Sequence, residues 1–142
     1  MSTPAVLAVF FGPNTVHVTT VHWDGDRAGD TLKRYYNTPE KAKALSDLGD
    51  LSTLGVRLAP EPEEPHTFDR PAPGVCVAYH RDRGEDMNIE VLDGIKVSSD
   101  LDNALRSYGS DYWYVFIQGR WFRRVFMRGC RGRNVRGEYI PL

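Results

Sequence analysis

Three groups of side chains in this sequence combine residue types that could bind a ligand or a partner. The first is His22, Trp23 and Asp24, which follow one another at the end of an alternating apolar stretch. A strand end can place side chains at the rim of a pocket, and a tryptophan ring can stack on a nucleobase or a guanidinium plane. The simpler alternative is that Trp23 covers a hairpin while Asp24 shapes a tight turn.

The second group is the pair Arg81 and Arg83, in the charged segment HRDRGED at 80–86. Two guanidinium groups so close in sequence could hold an anion between them. The segment could equally be a solvated loop whose opposite charges pair with one another, which contributes little to stability. Both interpretations stay open at the level of the sequence.

The third group consists of arginines near the C-terminus. They are Arg120, Arg123, Arg124, Arg128, Arg131, Arg133 and Arg136. Arginine among glycine spacers is common in segments that contact phosphates. We expect these side chains to serve binding and not folding, and the alternative is an unstructured terminus that binds nothing.

Other arrangements that would indicate a metal site or an enzyme are incomplete. The acidic run that begins at Asp24 resembles the start of a calcium loop, but Ala28 and Tyr35 stand where the loop needs oxygen ligands. His17 and His22 fall on opposite faces of a regular strand, and no zinc motif accompanies them. Nucleophile, phosphate-loop and dinucleotide motifs are also missing. We therefore expect no metal, no cofactor and no enzymatic activity.

Alternation and turn residues predict two hairpins that would carry these groups. The apolar run 5–11 precedes a Gly-Pro-Asn turn and the alternating stretch 15–23, so the two should pair, with 5–11 central or covered. A slip in the alternation at Thr19 and Thr20 favours a bulge. The aromatic stretches 112–117 and 120–127 flank a two-residue Gln-Gly turn, which predicts the second hairpin. Shorter strands are predicted at 75–79 and 89–92.

Helix signals are clearest after Thr38, which can cap a helix whose first residue is Pro39. Gly49 should end this helix, and 51–54 should form a further short turn. A short helix is expected at 31–36. Another, over 101–108, would be capped by Ser98 or Ser99 and ended by Gly109.

These elements predict an α+β fold: a single domain with a mainly antiparallel sheet and two to three short helices. We place the domain at 1–127, with a proline-rich acidic connector at 56–74 and a basic Arg/Gly-rich tail at 128–142. Net charge varies along the chain, at −3 for 1–74, −3 for 75–110 and +5 for 111–142. The near-neutral total argues against an acidic mimic of nucleic acid but allows a local anion-binding patch. No apolar run is long enough to cross a membrane.

Part of the sequence resembles a known group of proteins. The run HWDG, the tyrosine-bearing helix, YNTPEKAKALSDLGDLSTLG and the segment GVCVAYHRDRGE at 74–85 are similar to small, uncharacterised accessory proteins of tailed bacteriophages. The resemblance covers 16–85 and does not include the arginine-rich end. It implies a phage origin and a soluble accessory role, and it assigns no activity and no functional residue.

Three hypotheses about function follow. The first is a non-enzymatic binding protein that neutralises a bacterial host component, such as a defence factor, in the host cytoplasm. The second is a nucleic-acid-binding accessory protein that uses the C-terminal arginines and the hairpin aromatics. The third is a pocket protein that captures an anionic nucleotide through Trp23, Arg81 and Arg83. The sequence sets neither the identity of the partner nor the oligomeric state.

Overall fold

The computed structural model of this protein describes residues 3–95, 99–110, 112–128 and 134–142. Its strands are β1 (Ala5–Phe11), β2 (Thr15–Val21), β3 (Leu51–Thr53), β4 (Val77–Ala78), β5 (Glu90–Leu92), β6 (Tyr112–Ile117), β7 (Arg120–Arg128) and β8 (Asn134–Pro141). Its α-helices are α1 (Ala28–Tyr35), α2 (Pro39–Ser46), α3 (Tyr79–Arg83) and α4 (Ser99–Leu105). Two 3₁₀ turns, Gly25–Arg27 and Arg106–Tyr108, precede α1 and follow α4.

The strands form one sheet in the order β4-β3-β2-β1-β6-β7-β8, and β5 also pairs with β2. Strand β1 is central, antiparallel to β2 and parallel to β6. Strands β2 and β3 are parallel, and the remaining pairs are antiparallel. The predicted α+β class and both predicted hairpins are confirmed. The described part contains four helices, of which three have seven residues or more.

Helices cover both faces of the sheet, which explains the unbroken apolar run of β1. Ala5 and the alternate residues after it pack against Leu32 of α1 and Leu45 of α2. Val6 and its alternate neighbours pack against Leu101 of α4. A strand that lies between two cores has no solvent face, so every position favours an apolar side chain.

The slip in the alternation of β2 has a different cause from the one expected. Register between β1 and β2 is continuous, with Leu7 opposite Thr19 and Val6 opposite Thr20, so the expected bulge is wrong. Thr19 is buried although it is polar. Because both faces of the sheet are covered, the two sides of β2 do not need to alternate between apolar and polar residues.

Helix α2 follows the predicted capping pattern. Thr38 has an extended backbone, and its hydroxyl accepts a hydrogen bond of 3.2 Å from the backbone N–H of Lys41, while Pro39 is the first helical residue. Gly49 follows the helix with a φ of 77°, a value that glycine adopts without strain. Helix α1 begins earlier than the sequence indicated, at Ala28, because the 3₁₀ turn before it leads directly into the helix.

Two local predictions are wrong. Residues 51–54 do not form a helical turn: Leu51 begins β3, and its carbonyl accepts a 2.9 Å hydrogen bond from the backbone N–H of His22. The charged segment 80–86 is not a loop throughout, because 79–83 form α3, which ends at Gly84 with a φ of 74°. Ser98, one of the two residues expected to cap α4, lies outside the described residues.

The C-terminal segment also differs from expectation. Asn134–Pro141 is not a tail but strand β8, which pairs antiparallel with β7. Phe122 lies opposite Pro141 at one end of this ladder, and Arg128 lies opposite Asn134 at the other. Gly137, in the segment expected to be an Arg/Gly-rich tail, lies inside β8 opposite Phe126. A neighbouring strand supplies the hydrogen bonds that compensate for the weak strand preference of glycine.

Candidate functional site

Arg81, a candidate anion ligand, is held by the protein itself. Its Nε and Nη2 atoms donate to the Asp82 carboxylate at 2.9 and 3.0 Å. Nη1 donates to the carbonyl of Leu58 at 2.5 Å, and Nη2 also donates to the carbonyl of Cys76 at 2.6 Å. The guanidinium group therefore links α3 to the connector 56–74 and to Cys76, directly before β4. These hydrogen bonds occupy the N–H groups with which Arg81 would otherwise bind an anion.

Asp82 links the same helix to the connector through His66. The two side chains are almost fully buried, and His66 Nε2 lies 3.1 Å from the Asp82 carboxylate. His66 Nδ1 accepts a 2.9 Å hydrogen bond from the backbone N–H of Ala72, which leaves the proton on Nε2, facing the carboxylate. Burial raises the pKa of Asp82, but the hydrogen bonds from Arg81, the Ala78 N–H and His66 outweigh it and lower the pKa to about 2.

Arg83, the second expected anion ligand, is engaged more loosely. Its guanidinium lies 4.7 Å from the centre of the Phe68 ring and 5.1 Å from that of Tyr79. It also pairs with Glu85 at 2.5 Å, and about half of its side chain is exposed. Arg81 and Arg83 thus contact different partners and do not converge on a shared site. The hypothesis of an anionic nucleotide pocket required both guanidinium groups at one site, and the structure does not place them together.

Arg124 has a structural role that its sequence context did not indicate. It is buried and forms a bidentate ion pair with Asp102, with N–O distances of 2.7 and 2.8 Å. Its guanidinium also lies 4.9 Å from the centre of the Trp113 ring. Tyr139 of β8 donates a 2.7 Å hydrogen bond to the same carboxylate. This cluster ties α4 to β7 and β8.

The other C-terminal arginines do not gather into one site. Arg120 and Arg123 are exposed on β7, and Arg120 lies over the Phe122 ring at 5.9 Å. Arg128 and Arg136 belong to β7 and β8, and their side chains are outside what the structure describes. Arg131 and Arg133 lie outside the described residues altogether.

A cavity of about 590 Å³ next to Arg123 has mixed charge. Its cations are Arg27, Lys33 and Arg123, and its carboxylates are Asp26 and Asp30. The two carboxylates oppose the binding of a phosphate, so this cavity does not match the basic groove expected for a nucleic acid.

Trp23 and Asp24 border a small cavity, and His22 is not among its lining residues. The Trp23 ring is 41% exposed and meets the His22 ring edge-on at 4.7 Å. Asp24 adopts the left-handed backbone conformation, as expected of a residue in a tight turn. The cavity beside them has a volume of about 160 Å³, below the roughly 300 Å³ at which small-molecule pockets begin. Arg27 lines it, but Arg81 and Arg83 do not.

A further concave surface lies beside α3, and the sequence did not single it out. This groove has a volume of about 680 Å³. Its lining residues are Asp50, Tyr79, His80, Gly84, Glu85, Asp86, Met87 and Asn88. We call it the acidic groove, since it contains three carboxylates and no lysine or arginine. The adjacent residues Glu85-Asp86 within 80–86 were the only sequence signal for it.

Two features of the acidic groove suit a protein partner. Met87 is 44% exposed, and it packs closely on the end of α2, where a Cβ placed on Gly49 would lie 2.7 Å from the methionine sulfur. Asp50 is held in place by hydrogen bonds from the backbone N–H of Thr20 at 2.9 Å and the side-chain amide of Asn88 at 2.7 Å. The groove therefore combines fixed negative charge with an adaptable apolar side chain.

No three acidic, histidine or cysteine side chains among the described residues are arranged to hold a metal ion. Among the same residues, no helix is long and apolar enough to span a membrane. Comparisons with family profiles, with curated proteins and with solved structures found no match.

Proposed function

We propose that this chain is a phage-encoded, non-enzymatic binding protein that occupies a bacterial protein in the host cytoplasm, with a defence factor as the target class. The observation that carries the proposal is the acidic groove, with its three carboxylates and the exposed side chain of Met87. Complementary charge steers a protein partner to such a surface, and a central apolar contact supports affinity once the partner is bound. The resemblance at 16–85 supports the phage origin and the accessory role.

The same groove opposes a nucleic acid. Carboxylates repel the phosphate backbone, which provides most of the affinity in nucleic-acid complexes. Among the candidate arginines whose side chains are described, Arg81 and Arg124 are occupied by internal hydrogen bonds. Arg123 shares its cavity with two carboxylates. These contacts favour a protein partner over the nucleic-acid alternative.

The test is capture of a partner from a bacterial lysate by tagged protein, with and without nuclease treatment. We expect a protein to be retained in both cases. Asp86→Lys should reduce the amount captured at least tenfold, because it reverses a charge inside the groove. Asp69→Lys makes the same change at an exposed position in the connector 56–74 and should leave capture unchanged.

Nuclease-sensitive capture would contradict the proposal and favour the nucleic-acid alternative. Equal capture by wild type and Asp86→Lys would show that the partner binds elsewhere. Circular dichroism of both variants should match the wild type, since each substitution lies on the surface.

A further inference from the structure

In the described part of the chain, strand β5 is paired on one side only. It pairs with β2 through Val16, His17 and Val18. Further along the same side of β2, β3 pairs at Val21, so the two short strands share that side. Asp50 fills the space between them by accepting the backbone N–H of Thr20. In the part of the chain that the structure describes, no strand pairs with the outer side of β5.

This open side can form backbone hydrogen bonds. In an antiparallel ladder, alternate residues direct their N–H and C=O groups to opposite sides of the strand. Among the three residues of β5, at least one therefore presents its donor and acceptor outward. An extended peptide can add to such an edge as a new strand.

An apolar face lies beside the open edge. Val91, in the middle of β5, is 52% exposed and stands opposite His17 in the ladder. The His17 ring contacts the Phe11 ring, with centroids 4.3 Å apart. An added strand would gain side-chain contacts here as well as backbone hydrogen bonds.

The surroundings of this edge are acidic, which defines the chemistry of the added strand. The segment 85–93 contains Glu85, Asp86, Glu90 and Asp93 and no lysine or arginine. Glu85 pairs with Arg83, and Glu90 accepts a hydrogen bond from the Tyr108 hydroxyl. Asp93 accepts one of 2.8 Å from Thr15, so three of the four carboxylates are held in position. A second copy of this chain would bring the same negative charges into contact, whereas a basic strand would neutralise them.

We propose that the outer edge of β5 is the docking site for an extended, basic segment of the partner protein, which adds to the sheet as a strand. Its apolar side chains contact Val91, and its lysines or arginines face the carboxylates of 85–93. This inference rests on the proposed function and names the kind of partner segment that the surface fits.

The experiment uses three capped synthetic peptides as probes, in titrations of ¹⁵N-labelled full-length protein up to millimolar concentration. KVKVKVK alternates lysine and valine, EVEVEVE reverses its charge, and KVKPKVK replaces the central valine with proline. We expect KVKVKVK to shift the amide signals of 85–93 and to slow hydrogen exchange at one or more of 90–92. EVEVEVE should not bind because of like charge, and KVKPKVK should bind at least tenfold more weakly because proline removes a donor and interrupts pairing.

A matched pair of variants completes the test. Val91→Lys should weaken KVKVKVK binding at least tenfold, because it places a like charge at the centre of the site. Val56→Lys makes the same substitution at a valine that is 42% exposed in the connector, and it should have no effect.

Equal binding of KVKVKVK and KVKPKVK would overturn strand addition, since recognition would then not depend on backbone pairing. No binding of KVKVKVK at millimolar concentration, or signal shifts only outside 85–93, would also overturn it. Each of these results leaves the lysate capture and its dependence on Asp86 intact, so failure of this inference is distinguishable from failure of the proposed function.

Discussion

Asp102→Asn should strongly destabilise the protein, because it removes the charge that compensates Arg124. The arginine is 6% exposed and donates two hydrogen bonds to Asp102, and Tyr139 donates a third. Asparagine has nearly the same shape as aspartate, so packing changes little. The main consequence is that the buried guanidinium group loses its ion pair with Asp102.

The size of the effect follows from the burial of the pair. Removing one partner of a buried ion pair costs about 3–5 kcal/mol, and we expect about 3 kcal/mol because the Asp102 side chain is 18% exposed. For 142 residues, an unfolding entropy of about 2.1 cal/mol/K per residue gives about 0.3 kcal/mol/K. The melting temperature should therefore fall by about 10 °C.

The assay is urea unfolding together with a thermal melt at pH 7, with Asp69→Asn as control. Asp69 is exposed, so its neutral variant should stay within about 0.5 kcal/mol of wild type. In the double variant Asp102→Asn/Arg124→Gln, part of the loss should be recovered, since no buried charge is left uncompensated. A loss below about 1 kcal/mol for Asp102→Asn would refute the reasoning, because the pair would then behave like an exposed one.

The same pair predicts a dependence on pH. Burial raises the pKa of Asp102, but the hydrogen bonds from Arg124 and Tyr139 outweigh it, so the pKa lies below its ordinary value. A carboxylate with a lowered folded-state pKa stabilises the protein above its unfolded pKa of about 3.9, and this contribution is lost as pH falls through the folded value. The stability difference between wild type and Asp102→Asn should therefore shrink below pH 4.

Because Tyr139 belongs to β8, deleting 128–142 should also lower the melting temperature.

Three further predictions concern stability. Thr38→Ala removes the cap of α2 and should cost about 1 kcal/mol in urea unfolding; no change would mean that the hydrogen bond to its hydroxyl contributes nothing. Gly55→Ala should cost about 2 kcal/mol or more, because the new Cβ would lie 2.4 Å from the carbonyl oxygen of Gly74; a silent variant would show that the two backbone segments separate easily. Asp82→Asn should lower the free energy of unfolding at pH 7. The difference from wild type should shrink as pH falls from about 4 towards 2, the folded-state pKa of Asp82. A difference that does not change with pH would contradict the role assigned to the hydrogen bonds of Asp82 with Arg81 and His66.

Much of the fold could be predicted because its signals act over short distances. The two hairpins follow from alternation and from turn residues directly between the strands, and the cap at Thr38 acts on a backbone N–H three residues away. The buried apolar run of β1 likewise indicated a central strand. Propensity, capping and turn geometry are local properties, so the sequence alone determined these elements.

The candidate site depended on contacts that no local pattern contains. Arg81 and Arg124 look like exposed cations in the sequence, and only the partners brought to them by folding, Leu58 and Asp102, show that they are structural. The acidic groove likewise joins Asp50 to Asn88, from separate parts of the chain.

The C-terminal strand illustrates the physical reason. A glycine-containing, basic segment has a weak strand preference by itself, yet β7 pairs with seven of the eight residues of β8. Whether a charged side chain binds a ligand or the protein itself also depends on which groups lie within hydrogen-bonding distance. Local propensities could be read from the sequence, whereas these long-range pairings were decided only by the tertiary structure.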